Sequence, residues 1–176
     1  MKTWIALIRG INILGSRTLP MADLRALCGN CGLADAVTYI ASGNVVFGSD
    51  RPADEIEELI ASSIEQRFGY SVSVMVRDRT YFRELVEQNP FTDRDPKFLH
   101  ATLLADDPEA KLLEAIRDSD YGNDEFREGR RAIYVYCPDG YGQTKLHNNF
   151  FEAKLKTSAT TRNWRTTNKL LEMAEN

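Results

Sequence analysis

The sequence is poor in cysteine and histidine and contains no long hydrophobic run. Among its 176 residues are three cysteines and two histidines, and an odd cysteine count leaves at least one thiol outside any disulfide framework. No apolar stretch approaches the roughly 18 residues that a membrane-spanning helix needs, and the N-terminus lacks a signal-peptide pattern. We therefore expect a cytoplasmic protein that does not enter a membrane.

Several catalytic motifs are also missing. There is no G-x-x-x-x-G-K-[ST], no G-x-S-x-G and no H-E-x-x-H, so P-loop, nucleophile-elbow and zincin sites lack sequence support. The two histidines are far apart, and His100 lies in a strand-like apolar run that favours a core position. The sequence therefore assigns no catalytic residue and leaves open whether the protein is an enzyme.

Cys28 and Cys31 form the one C-x-x-C pair. The pair falls at the predicted C-terminus of a helix, where the helix dipole opposes a thiolate. A zinc site would need two further ligands, and the other thiol and imidazole side chains are Cys137, His100 and His147. Redox and zinc roles are thus alternatives to the favoured structural role, and we expect neither a metal nor a cofactor.

What is present indicates a globular protein organised around a hairpin. Hydrophobic residues make up 43% of the chain and charged residues 27%, which suits one sizeable core or two small half-domains. The segment Thr38–Phe47 reads as two short strands with a tight reversal at Gly43 and Asn44. Trp4–Ile8 is almost continuously apolar, which is typical of a central strand buried on both faces.

The predicted elements repeat along the chain. Helices that begin near Pro20 and within residues 51–54 alternate with the first strand, the hairpin and a strand at 71–76, an order typical of a ferredoxin-like unit. A second series follows: a strand at 97–104, a helix at 108–118, a strand pair near 125–136 and a helix at 143–155. We predict an α+β protein of two tandem ferredoxin-like halves with closely associated sheets. The halves span residues 1–78 and 97–176, joined by a helix and loop at 79–96, and the second half ends in basic helices.

Charge is distributed unevenly. Residues 1–141 carry a net charge of −7, whereas residues 142–171 carry six basic residues against Glu152 alone, a net of +5. This basic segment favours either an acidic partner or a solvated face that pairs with the acidic body. An overall charge of −4 and the lack of paired aromatic strand signatures do not favour nucleic acid.

The basic segment contains the group Thr160, Thr161, Arg162 and Asn163 directly before a helical pattern. Such residues cap helices, and they also supply the donors that bind a phosphate or carboxylate. Both interpretations remain open at this point. If the group binds a phosphate or carboxylate, Lys145 and Arg9 are the additional positive groups that we expect to converge on Arg162.

Four motifs taken together resemble a known family. They are the run 9–12 (RGIN), the hairpin with 42–47 (SGNVVF), the run 89–91 (NPF) and the run 161–164 (TRNW) with Thr166. In this order and spacing they are similar to the bacterial domain-of-unknown-function family numbered 1697, over essentially the whole chain. The resemblance implies tandem ferredoxin-like halves and no established activity, cofactor or catalytic residue. The chain departs from the family pattern at Leu14, where glycine is usual, which argues against a glycine-rich phosphate cradle.

Two hypotheses about function follow. The first is a site for a small anionic ligand bearing a phosphate or carboxylate, and its candidate residues are Arg9, Asn12, Ser42, Asn44, Lys145, Thr160, Thr161, Arg162 and Asn163. The second is an interaction module without catalysis, whose partner would be a protein bound at the basic helix. A concave pocket joining the polar loop groups would favour the first hypothesis, and a flat exposed surface the second.

Overall fold

The computed structural model describes residues 1–13 and 15–176 and divides into two compact units. The first unit comprises Met1–Arg83 with Leu170–Asn176, and the second comprises Glu84–Lys169. Residues 170–176 group with the first unit, where Glu175 forms an ion pair of 2.9 Å with Arg83. The predicted boundaries of the two halves stay a prediction. Leu14, where the chain departs from the family pattern, lies outside the described residues.

The first unit is ferredoxin-like, as predicted. Its elements are β1 (Lys2–Ile8), α1 (Met21–Asn30), β2 (Ala34–Tyr39), β3 (Asn44–Ser49), α2 (Ala53–Phe68) and β4 (Val74–Asp78). The strands form an antiparallel sheet in the order β2-β3-β1-β4. The apolar run in β1 is therefore central, and its side chains from Trp4 to Ile8 are buried.

Proline and glycine set the ends of these elements. Pro20 and Pro52 occupy the N-cap positions of α1 and α2, and Gly69 ends α2 with a φ of +77°. Proline suits a helix start because its missing N–H would have no partner there. The predicted reversal at Gly43 is confirmed with a φ of +80°, a conformation that glycine adopts without steric cost.

The second unit repeats the same topology. Helix α3 (Arg79–Glu87) and a short 3₁₀ turn (Pro96–Phe98) lead to β5 (Leu99–Leu104), α4 (Ala110–Arg117), β6 (Glu125–Gly129) and β7 (Ala132–Tyr136). Then come α5 (Asn148–Leu155), β8 (Ala159–Asn163) and α6 (Trp164–Glu175), whose last residues group with the first unit. The sheet order is β6-β7-β5-β8, again antiparallel. Both halves of the chain therefore show the predicted ferredoxin-like architecture.

Two predictions in this half were wrong in detail. The helix predicted at 143–155 begins only at Asn148, because residues 143–147 belong to the preceding loop. The strand β8 was missed, and its residues were interpreted as a helix cap. Its sequence, ATTRN, is polar and short, and it becomes a strand by pairing along β5, where Thr161 lies opposite Thr102.

Each unit has its own hydrophobic core. In the first, Leu24 and Ile60 of the two helices pack on the sheet residues Ala6 and Phe47. In the second, Ile116, Phe151 and Leu155 pack on Ile133 and Val135. Within the described chain, no helix combines the length and apolar composition needed to cross a membrane.

Candidate functional site

Arg162 lies on β8 rather than at a helix start. Its Nη1 donates hydrogen bonds to Thr160 Oγ1 at 3.0 Å and to the Thr161 carbonyl oxygen at 2.9 Å. Burial lowers the pKa of the Arg162 guanidinium to about 10, because a desolvated cation is less stable than a hydrated one. The group nevertheless remains charged at neutral pH.

The residues beside Arg162 serve the fold. Thr161 Oγ1 is hydrogen-bonded to Thr102 Oγ1 at 2.7 Å and donates to Asn148 Oδ1 at 2.6 Å. Asn163 Oδ1 accepts from the Thr166 backbone N–H at 2.8 Å and so caps α6. The cap is therefore the asparagine and not the preceding threonines. These groups link β8 to β5, α5 and α6.

The predicted residues of the first unit are also joined by internal hydrogen bonds. Asn12 Nδ2 donates to the carbonyl oxygens of Leu19 at 2.9 Å and Ala41 at 2.8 Å, while its Oδ1 accepts from Leu19 N–H at 2.8 Å. Asn12 thereby holds the loop after β1 against the β2–β3 turn. The Arg9 backbone N–H donates to the Ser73 carbonyl oxygen at 2.9 Å.

Asn44 stabilises the hairpin turn itself. Its Nδ2 donates to the Tyr39 carbonyl oxygen at 3.0 Å and to Ser42 Oγ at 2.9 Å, and the residue is fully buried. A buried amide that makes two hydrogen bonds fixes its surroundings. The structure therefore brings Asn12, Ser42 and Asn44 together around one turn, in the first unit, while Lys145 and the Arg162 group belong to the second.

The two units differ at one end of their sheets. In the first unit, the connections α1–β2 and β3–α2 are residues 31–33 and 50–52, three residues each. The equivalent connections of the second unit, residues 118–124 and 137–147, have seven and eleven. Binding residues are commonly found on such loops because a rigid scaffold holds them. The expanded loops mark this end of the second unit as the candidate site.

A cleft of about 300 Å³ lies between these expanded loops. It is lined by Tyr121–Asp124 of the first loop and by Asp139, Gln143 and Lys145 of the second. Asn123 Nδ2 donates to Asp139 Oδ2 at 3.0 Å and ties the loops together. Lys145 is thus a predicted site residue that lies in a concave part of the surface.

A larger cleft of about 610 Å³ shares Tyr121, Gly122 and Asp124 with the first. Its lining comprises Pro90, Arg117, Ser119–Gly122 and Asp124–Glu128. Most of its charged side chains are paired with one another. Arg117 Nε donates to Glu128 Oε1 at 2.8 Å, and the Glu125 carboxylate accepts from Arg94 at 2.8 Å and Arg127 at 3.2 Å.

The walls of both clefts are anchored in the core. Tyr121 Oη donates to the Ile116 carbonyl oxygen at 2.7 Å, and its ring packs edge-on against Phe126 and Phe150 at 5.8 and 5.7 Å. Tyr141 of the second loop stacks on His100 with ring centroids 4.4 Å apart. The clefts are therefore formed by ordered loops.

Sequence reasoning missed Tyr121, Asn123, Asp124, Asp139 and Gln143. The available signal was local composition, since 118–124 reads DSDYGND and 138–145 reads PDGYGQTK. Both are polar, glycine-containing stretches between strands and helices, which predict loops without indicating that the loops meet.

The two cysteines of the C-x-x-C pair differ in burial: Cys28 is buried and Cys31 is partly buried. Burial raises the pKa of the Cys28 thiol to about 12, and Cys31 Sγ lies 3.3 Å from Ser63 Oγ. Residues 1–13 and 15–176 contain no group of three or more histidine, cysteine or acidic side chains arranged to hold a metal ion. The proposed structural role of the pair stays a prediction, and the high pKa of Cys28 supports it.

Comparisons with known proteins agree with the fold. A family model described as "Protein of unknown function (DUF1697)" matches residues 1–134. The structure of the conserved bacterial protein SP0830 from Streptococcus pneumoniae aligns with a TM-score of 0.80 at 22% sequence identity, over 100% of this chain and 99% of that one. The comparison with curated proteins gave no match. At this level of identity the structural likeness concerns the fold alone.

Proposed function

We propose that this chain, which belongs to the DUF1697 family of proteins of unknown function, binds a small ligand through an anionic group in the 300 Å³ cleft. The group would be a carboxylate or a phosphate, and Lys145 would be its cationic partner. The observation that supports this most directly is the position of Lys145 in a concave site made by two expanded loops.

Lys145 is available for such a contact. Its side chain is exposed and forms no ion pair or hydrogen bond with the residues that the structure describes. The amide side chains of Asn123 and Gln143 line the same cleft and offer further donors. An ammonium group with neutral donors beside it suits an anionic oxygen. The same cleft is also lined by the carboxylates of Asp124 and Asp139.

The other predicted residues stay predictions as ligand contacts, and the proposal does not depend on them. The side-chain groups of Asn12, Asn44, Thr161 and Asn163 already take part in hydrogen bonds that hold the fold. Recruiting them would require breaking those bonds, at a cost of about 1 kcal/mol or more for each. Lys145 requires no such loss.

A thermal-shift screen tests the proposal. The probes are inorganic phosphate, sugar phosphates and small carboxylates at matched ionic strength, and the variants are Lys145→Ala and Lys154→Ala. Lys154 is an exposed lysine of α5 outside both clefts, so its removal matches the charge change. A ligand at 100 times its Kd should stabilise the wild type by about 2.7 kcal/mol. Lys145→Ala should lose this gain and Lys154→Ala should keep it; equal losses in both variants would reject the site.

An interaction module is the second candidate, and the first unit contains one observation in its favour. Val37 on the edge strand β2 and Ile40 just beyond it are 51% and 49% exposed, and Ile13 is 55% exposed. An edge strand with apolar side chains can accept an extended strand from a partner protein. If no probe in the screen stabilises the protein, this second function is favoured.

A further inference from the structure

We infer that the ligand also carries a cationic amine, which Asp124 binds while Lys145 holds the anionic group. This inference rests on the proposed function and specifies its ligand as a zwitterion of the amino-acid type. Asp124 lines both clefts, whereas Lys145 lines the smaller one. Asp124 and Lys145 therefore carry opposite charges in the lining of the smaller cleft.

Asp124 differs from the other acidic groups of this surface in having no partner. Glu128 is paired with Arg117, and Glu125 is paired with Arg94 and Arg127. Asp139 accepts a hydrogen bond from Asn123. Asp120 accepts one from the Gly122 backbone N–H at 2.8 Å. In the part of the chain that the structure describes, the half-buried carboxylate of Asp124 accepts none.

A hydrogen-bond donor would stabilise the Asp124 carboxylate at this position. Its charge lies close enough to the buried Cys137 to raise the pKa of that thiol, adding to the larger effect of burial. A carboxylate that is partly removed from water and lacks a hydrogen bond is destabilised relative to one that is paired. A ligand ammonium group would supply the missing donor.

Asp124 and Lys145 do not form an ion pair with each other. No ion pair within 4.0 Å links them in the described structure, although both line the smaller cleft. A small molecule with an acid at one end and an amine at the other can bridge the two charges. Tyr121, fixed by its hydrogen bond to Ile116, forms a rigid wall beside this path.

A ligand with a single charged group can pair with only one of these two side chains. A carboxylate without an amine would contact Lys145 and leave Asp124 unpaired, and its own charge would be repelled by Asp124. An amine without an acid would leave Lys145 unpaired and meet the like charge of its ammonium group. The geometry therefore favours compounds that carry both charges.

Binding of two matched probes tests the inference. Hexanoate and 6-aminohexanoate share a carboxylate and differ by one amine, and their Kd values can be measured by NMR titration at matched ionic strength. The wild type should bind 6-aminohexanoate at least about tenfold more tightly, since one charge-assisted contact separates the probes. Asp124→Asn should abolish this preference.

Asp106→Asn is the matched control. Asp106 is an exposed aspartate of the second unit that lines neither cleft, so this variant loses the same charge and should keep the tenfold preference. Equal binding of both probes by the wild type, with Lys145→Ala weakening both, would overturn the inference and leave the proposed function standing. Failure of Lys145→Ala to weaken either probe would overturn both proposals. The wild-type comparison needs no variant to fold.

Discussion

The side-chain amide of Asn12 donates a 2.8 Å hydrogen bond to the carbonyl oxygen of Ala41, so the loop after β1 is attached to the β2–β3 turn. The second unit has the same relationship with different chemistry. There the Arg131 backbone N–H, in the β6–β7 turn, donates to Asp107 Oδ1 at 2.8 Å from the loop after β5. In both units, a loop side chain fixes a hairpin turn.

Asn12→Ala should lower the free energy of unfolding by about 2 kcal/mol. The change removes three hydrogen bonds, each of which stabilises the folded state by about 1 kcal/mol. The total is smaller than their sum because water can replace part of these bonds at this partly exposed position. It also leaves alanine at a φ of +54°, which asparagine tolerates better. Urea unfolding measures the effect. Asn30→Ala, at the exposed end of α1, should change stability by less than about 0.5 kcal/mol, and similar losses in both would contradict the assignment.

Gly43→Ala should destabilise the protein by at least about 2 kcal/mol. A Cβ at this position would lie 2.8 Å from Ile11 Cδ1 and 2.9 Å from the Ile8 carbonyl oxygen, and the φ of +80° adds strain. Gly29→Ala is the matched control, because its Cβ would meet no atom within 4 Å in helix α1. That change should raise the melting temperature. A stable Gly43→Ala variant would contradict the packing described for the turn.

His100 should make stability depend on pH. Burial lowers the pKa of His100, outweighing the opposite effect of its hydrogen bond with the Phe98 backbone. The unfolded chain therefore binds the proton more readily than the folded one. The contribution of the neutral imidazole is complete above a pH of about 6.5 and is lost as the pH falls through that value towards the lower folded-state pKa.

His100→Phe isolates this effect because it keeps an aromatic ring against Tyr141, which stacks on His100 at 4.4 Å. Urea unfolding at pH 7.5 and pH 5.5 should show a smaller loss of stability on acidification in the variant than in the wild type. Equal losses would show that His100 does not titrate in this range.

The three thiols should differ in reactivity. Cys28 and Cys137 are fully buried, and burial raises their pKa values to about 12 and about 11. Cys31 is only partly buried. A thiol-disulfide reagent at pH 8 should modify one cysteine in the native protein and three in denaturant. Cys31→Ser should leave none reactive in the native state, whereas two rapidly reacting thiols or bound zinc would contradict a structural role for the pair.

The sequence predicted those elements whose signals are local. Pro20, Pro52 and Gly69 bound the helices of the first unit, and the turn at Gly43 follows from its own conformational freedom. The strand β8 could not be found in this way because its threonines become strand residues through their partners on β5. Long-range pairing leaves no periodic hydrophobic pattern in a five-residue strand with four polar residues.

The candidate site was harder to predict for the same reason. Lys145 was identified by charge, but Asp124 and Asn123 lie on a different loop that meets it only in the folded unit. The threonines at 160 and 161 gave a false signal of a helix cap. Thr161 is hydrogen-bonded to β5 and α5, and Thr160 accepts from Arg162 on its own strand. Composition can predict that a segment is a loop, while the cleft between two loops is a tertiary property.

The pairing of β1 with β4 has a consequence for how such a chain can arise. Trp4 near the start of β1 lies opposite Asp78 at the end of β4, and in the second unit His100 near the start of β5 lies opposite Asn163 at the end of β8. The segments that form the two sheets, residues 2–78 and 99–163, therefore each begin and end at neighbouring points of their own sheet. A gene segment that encodes such a set of strands and helices can be copied, inserted or circularly permuted without opening the sheet, because its two ends are already side by side.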